Sequence, residues 1–220
     1  MGKNKYITIA LDGAAGSGKS TTARAICEKY KYIHVDTGLH YRAISFHLLN
    51  LNITPERTPE YLLSSPLILS SKLDEFSVQL FIDGAHYSKC DLRNERMNQE
   101  VSYYARIPEV RALLLNYQRS LPDFGKNTGY SGIIMDGRDI GSVILPDADI
   151  KIFLHADLQV RQIRRSSDGE TDSISTRDQI DSTRKIAPLA CPDDAISIDT
   201  GKQSLDKVLQ LISNEIASLT

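Results

Sequence analysis

Gly13, Gly18, Lys19 and Ser20 stand in the spacing G-x-x-x-x-G-K-S within LDGAAGSGKSTT, residues 11–22. Small residues let a backbone curl until its N–H groups converge on phosphate oxygens, and a helix starting there adds the positive end of its dipole. In such a loop Lys19 serves the outer phosphates and Ser20 offers a hydroxyl to magnesium. The cradle itself is Gly13, Ala14, Ala15, Gly16, Ser17, Gly18, Lys19, Ser20 and Thr21. The chemistry implied is the binding of a nucleoside triphosphate. A Gly/Ser-rich stretch can also be a plain flexible turn. The flanks weigh against that, because the apolar run YITIAL precedes the loop and a helix-prone segment, 22–30, follows it.

A second group of candidates is cationic. Arg42 follows the strand-like YIHVD (32–36) through TGLHY, and Arg138 follows the apolar IIMD (133–136) through Gly137. Arg161, Arg164, Arg165, Arg177 and Arg184 fall in a charged region, 158–184. Most arginines taken singly are solvated surface charge. Arg42 and Arg138 instead lie just past the carboxyl ends of strands, where open parallel sheets hold their ligands. Guanidinium groups clamp phosphate through paired hydrogen bonds, and phosphoryl transfer depends mainly on positioning and charge neutralisation.

Asp136 closes its apolar strand either as a carboxylate on the magnesium side or as a cap for the turn at Gly137. Residue type leaves both open. His34, His40, His47, His86 and His155 show no metal-ligand spacing and read as packing or surface residues. No serine, histidine and acid grouping is discernible.

Positioning these groups requires strands and helices in alternation. Apolar runs at 6–11, 32–36, 133–136, 151–154 and 195–199 make five candidate core strands, with helical spacing between them. That pattern predicts an α/β fold with a parallel sheet covered on both faces. Three prolines break up 54–71, and 76–82 then alternates before Asp83-Gly84, a turn into 85–88. This is a hairpin signature, expected in an inserted lobe distinct from the parallel sheet. Helices are expected at 98–121, interrupted at Pro108, and at 205–216, with a flexible tip at 166–169.

Composition narrows the classes. A chain of 220 residues suffices for one globular unit, and 26 basic against 28 acidic residues give no general attraction to nucleic acid or anionic lipid. Cys27, Cys90 and Cys191 are odd in number and widely spread, so neither a disulfide framework nor a zinc site is indicated. No signal peptide or membrane-length apolar run is evident, and a cytoplasmic protein without nucleic-acid or membrane partners is expected.

With these residues in view, the chain resembles the bacterial cytidylate kinases, the (d)CMP kinases among the nucleoside monophosphate kinases. The matching pieces are LDGAAGSGKST (11–21), DTGLHYR (36–42), VSYYARIPEVRALLLNYQR (101–119), DGRDIGSVILPDADIKIFL (136–154), RQIRR (161–165), RDQIDSTRKIAPL (177–189) and DDAISIDT (193–200). The resemblance implies a P-loop NTPase fold: a five-stranded parallel sheet in a core of 1–53, 98–157 and 185–220. It adds a β-containing monophosphate-binding insert at about 54–97 and a short lid at about 158–184. It implies ATP and magnesium as donor and cofactor, CMP and dCMP as acceptors, and a monomer.

Carried over by position, it assigns cytosine recognition to Thr37, Ser102, Arg111 and Asp139. An acid beside the exocyclic amine and an arginine or hydroxyl on the carbonyl side would read that base. Acceptor phosphate and sugar contacts fall on Arg42, Arg138, Arg177, Asp181 and Arg184. The donor side falls on Arg161, Arg164 and Arg165, with Lys19, Arg42, Arg138 and Arg184 as the catalytic cations; Ser20, from the loop motif, and Asp136, on one of its two readings, are the candidates for magnesium. Ser102 can equally be a helix-capping hydroxyl. Only SSDGETDSIST separates Arg165 from Arg177, shorter than the usual lid. Competing readings are another small-molecule P-loop kinase, acting on UMP or shikimate, and a nucleotide-binding module that has lost transfer.

Overall fold

The computed structural model describes residues 5–167, 174–183 and 186–219; the Arg177 side chain is outside this set. In chain order the strands are β1 Ile7–Gly13, β2 Tyr32–Asp36, β3 Leu69–Asp74, β4 Ser77–Ile82, β5 Gly132–Gly137, β6 Ile150–His155 and β7 Ile196–Asp199. The helices are α1 Lys19–Tyr30, α2 Thr37–Asn50, α3 Thr58–Ser64, α4 Lys89–Leu92, α5 Glu95–Ala105, α6 Pro108–Lys126, α7 Leu158–Ser167, α8 Ile174–Thr183 and α9 Leu205–Leu219.

One sheet runs in the order β3-β4-β2-β5-β1-β6-β7. The five strands legible in the sequence are β2-β5-β1-β6-β7, all parallel and ending at the β7 edge. The expected count of five is therefore corrected to seven. The hairpin is also not separate from the sheet. It is β3 and β4, antiparallel to each other, and β4 joins β2 in parallel at His34–Ser77, with the His34 N–H donating to Phe76 O at 2.6 Å. Asp83-Gly84 does form a turn, both residues having positive φ, but it closes only an isolated bridge between Ile82 and Ala85.

The central strands are buried on both faces, which explains why they read as continuous apolar runs. Ala10, Ile33, Val35, Ile133 and Met135 pack with Ile44 and Leu48 of α2 and Val110, Leu114 and Leu121 of α6. Ile7, Ile9, Leu11, Ile134 and Ile152 face the other way, onto Ala23 and Ile26 of α1 and Val208, Ile212 and Ile216 of α9. Period-two alternation thus sorts apolar residues between two cores rather than between core and solvent. Among the described residues no helix is long and apolar enough to cross a membrane.

Register sets the level of the site. Leu11 pairs with Asp136, Asp36 pairs with Asp136, and Gly13 pairs with Leu154. The carboxyl ends of β1, β2 and β5 consequently bring Gly13, Asp36 and Asp136 to one edge, where helix N-termini also point.

Candidate active site

The glycine-rich loop links the end of β1 to α1. Gly13, Gly16 and Gly18 have φ of 151°, 73° and 88°, conformations that favour glycine. A Cβ on Gly13 would lie 2.1 Å from Leu154 O, and one on Gly16 would lie 2.8 Å from Arg161 O. Any side chain at either position would push β6 or α7 off the loop. Ala15, Ser17 and Lys19 are buried, while Ala14 and Ser20 are half-buried and Thr21 faces solvent.

Lys19 folds back over this loop, its Nζ donating to Gly13 O at 2.8 Å and Ala14 O at 2.9 Å. Burial, reinforced by the neighbouring Arg138 guanidinium, brings its pKa down to about 7. Ser20 donates to Asp136 Oδ2 at 2.9 Å, and His34 Nε2 lies 3.3 Å from Asp136 Oδ1. Burial pushes the Asp136 carboxyl up, but the His34 hydrogen bond and charge, with Lys19 and Ser20, outweigh it and hold the group below the ordinary carboxylate range. For His34 burial favours the neutral ring, and the Asp136 hydrogen bond reverses that, so its pKa is raised. The two side chains form a buried, mutually stabilised pair. Asp136 does not cap the turn through its side chain; its carbonyl accepts from Thr37 Oγ1 at 2.8 Å.

The segment leaving β5 carries the next groups. Arg138 donates to Gly13 O at 2.9 Å and pairs with Asp181 of α8 at 3.0 Å. Asp139, 3% exposed, forms an ion pair with Arg111, 7% exposed, from the first turn of α6. Beyond Asp139 the chain makes a single π-helical turn, Ile140–Ile144, with Leu145 N donating to Ile140 O at 2.7 Å. A cavity of about 190 Å³ lies against Arg111 and Tyr41 and is walled by Ala112, Leu115, Val143 and Ile144. A larger open hollow of about 630 Å³ on α7, near Gln159 and Ile163, contains none of these groups.

On α2, Arg42 is buried and donates to Leu92 O at 2.7 Å and Asn98 Oδ1 at 2.6 Å. Ser102, on α5, is also buried. Asp36 caps α2 by accepting from Leu39 N at 3.1 Å and pairs with Arg93 at 2.8 Å. Arg161 pairs with Asp178 and donates to Ala15 O at 3.1 Å; Arg164 donates to Thr200 O at 2.7 Å. Arg165 is half-buried on the same helix. Arg184 and the side chain of Arg177 lie outside the described residues.

Lys19, Ser20, Asp136 and Arg138 thus meet at the loop, and Arg111 with Asp139 forms a second cluster joined to it by the bond between residues 138 and 139. His34, expected as a packing or surface residue, instead engages Asp136, while Asn98, Asp178 and Thr200, which the sequence did not single out, hold Arg42, Arg161 and Arg164, and Asp12 holds the segment after Asp139. Asp12, Asp178 and Thr200 lie inside the matching stretches quoted above, with no spacing of their own to mark them.

Residues 9–218 match the family model described as cytidylate kinase. The chain belongs to the cytidylate kinase family. A cytidylate kinase of Chloroherpeton thalassium is 37% identical, over 94% of this chain and 92% of its own length. One from Streptococcus thermophilus is 38% identical over 96% of both chains. The described elements therefore span nearly the whole length of cytidylate kinase relatives. Among solved structures, a sugar kinase from Janibacter sp. HTCC2649 shares the fold at a TM-score of 0.50 and 16% identity, over 96% of this chain and 95% of that one.

Proposed function

We propose that the chain transfers the γ-phosphoryl of ATP to CMP and dCMP, in a P-loop NTPase fold whose donor cradle is residues 13–21. Membership of the cytidylate kinase family supports the reaction. The observation that carries the assignment of roles is the double engagement of residues 138–139. Arg138 touches the glycine-rich loop, and Asp139 beside it forms a buried pair with Arg111 next to a cavity. One short segment can thereby serve the transferred phosphoryl and the acceptor base together.

In this reading an oxygen of the CMP phosphate attacks the γ-phosphorus in line, one P–O bond forming as the bond to the β-bridging oxygen breaks, with no enzyme-bound intermediate. Lys19 exchanges the carbonyls of Gly13 and Ala14 for the outer phosphates. Arg42, Arg138, Arg177 and Arg184 gather the acceptor phosphate, Asp181 adjoins the sugar, and Arg161, Arg164 and Arg165 border the donor side. A carboxylate has room for a guanidinium and an amine at once, so Asp139 reads the cytosine amine while keeping Arg111. Thr37 and Ser102 supply further hydroxyls.

The oxygen donors Ser20 Oγ and Asp136 suit magnesium, which needs few protein ligands when phosphates complete its shell. When bound, the ion neutralises charge on the donor phosphates. Residues 54–97 make the acceptor lobe and 158–184 the lid, and the enzyme works in the cytoplasm.

The test is a coupled assay with ATP against CMP, dCMP, UMP, AMP and shikimate. Preference for the two cytidylates supports the reading; preference for shikimate or AMP contradicts it.

A further inference from the structure

Asp12, the penultimate residue of β1, has no part in the reaction outlined above, yet it is a carboxylate only 2% exposed. Its two oxygens accept from consecutive backbone N–H groups, Ile140 at 2.8 Å and Gly141 at 2.7 Å. These N–H groups open the π-helical turn and, like the first donors of any helix, have no partner within it. Asp12 also lies opposite Gly137 in the β1–β5 register, so its side chain meets the chain where it turns back over β1. The next residue, Gly13, supplies the carbonyl that receives Arg138. Residues 138–141 are therefore pinned on both sides of the Asp12–Gly13 peptide.

Stability alone does not account for a carboxylate here. Asp139 is a second buried carboxylate close enough to repel it. A neutral amide would avoid that repulsion but could accept from only one of the two N–H groups. The carboxylate meets both, and so fixes the direction in which the segment leaves β5.

We propose that Asp12 is a positioning residue for the acceptor base: by holding Ile140 and Gly141 it aims Asp139 at the base while Arg138 stays on the glycine-rich loop. The inference rests on the acceptor-side reading of Arg138 and Asp139. Asp12 accepts no hydrogen bond from residues 13–21, and its charge is the smallest of the three carboxylate influences that favour the charged Lys19, after Asp136 and Asp36, so its loss acts chiefly on CMP.

Asp12→Asn presents a donor to one of the two N–H groups and releases the turn. The expected result is a CMP KM raised about tenfold or more, an ATP KM within about twofold of wild type, and a several-fold lower preference for CMP over UMP. A purely structural residue would move both KM values together. Asp12→Glu keeps the charge, and with it the influence on Lys19, but its extra methylene moves the carboxylate off the two N–H groups it now meets. It should shift the CMP KM in the same direction by less, and it decides the matter if Asp12→Asn does not fold. Equal changes in both KM values, or none, overturn the inference. Asp139→Asn runs alongside: if it raises the CMP KM while Asp12→Asn and Asp12→Glu do not, this inference alone fails. If Asp139→Asn also has no effect, the base-reading assignment fails with it.

Discussion

The Ser20 hydroxyl donates to Asp136 Oδ2 at 2.9 Å, tying the start of α1 to the penultimate residue of β5. His34 engages the other oxygen, so both sides of the Asp136 carboxylate are fixed before any ligand arrives. Preorganised charge of this kind costs no rearrangement during reaction.

Asp136→Asn puts an amide donor where one of these partners now finds an acceptor and removes the charge. Turnover should fall by on the order of 10² with the CMP KM little changed, because the group faces the donor side. Steady-state kinetics over a range of magnesium concentrations checks this, and near-normal turnover would take Asp136 out of the donor site.

Lys19 titrates near neutrality in the free protein, at about 7, through burial and the proximity of Arg138. A polyphosphate anion beside Nζ favours the charged form. Binding of a non-hydrolysable ATP analogue at about pH 8 should therefore take up protons, approaching one per site. Calorimetry in buffers of different ionisation enthalpy measures the uptake. It should vanish in Lys19→Met; release of protons by the wild type would contradict the assignment.

Asp12 gives a prediction about stability. Burial raises its pKa to about 6 against the two backbone hydrogen bonds that lower it. A folded-state pKa above the unfolded value means that the native protein binds more protons across the interval. The contribution is complete below the unfolded value near 3.8 and is lost as pH rises through about 6. Relative to Asp12→Asn, the wild type should gain at most ~3 kcal/mol on acidification through this window. Denaturant unfolding at several pH values reads the difference; a constant offset between the two proteins would show that Asp12 does not titrate there.

Much of the site was legible because its residues come in short runs. The glycine-rich loop, Arg42, Arg138 and Asp139 follow recognisable strands, and the five strands expected run side by side, all parallel, from β2 to the β7 edge. The hairpin was misread for a physical reason. Its turn uses Glu75 at φ 50°, with neither Gly nor Asn, whereas Asp83-Gly84 has the favoured residues and closes a single bridge. Strand β3, LSSKLD, alternates without a strong apolar face, and β4 pairs with it upstream rather than with the segment beyond Gly84. Asp12 and His34 gave no spacing signal. Their roles depend on strand neighbours more than a hundred residues away, which only the register of β1, β2 and β5 reveals.

In the proposed reaction the buried pair of Arg111 and Asp139 reads cytosine. Asp139→Asn keeps size while exchanging one acceptor oxygen for a donor opposite the cytosine amine, and a charge-assisted hydrogen bond lost in this way costs roughly 1.5 to 3 kcal/mol. Uracil, with a carbonyl at that position, should lose far less. The decisive measurement is the ratio of kcat/KM for CMP to that for UMP in wild type and Asp139→Asn, with folding checked by thermal unfolding. The ratio should fall by about one to two decades in Asp139→Asn; an unchanged ratio in a folded variant would show that Asp139 does not read the base.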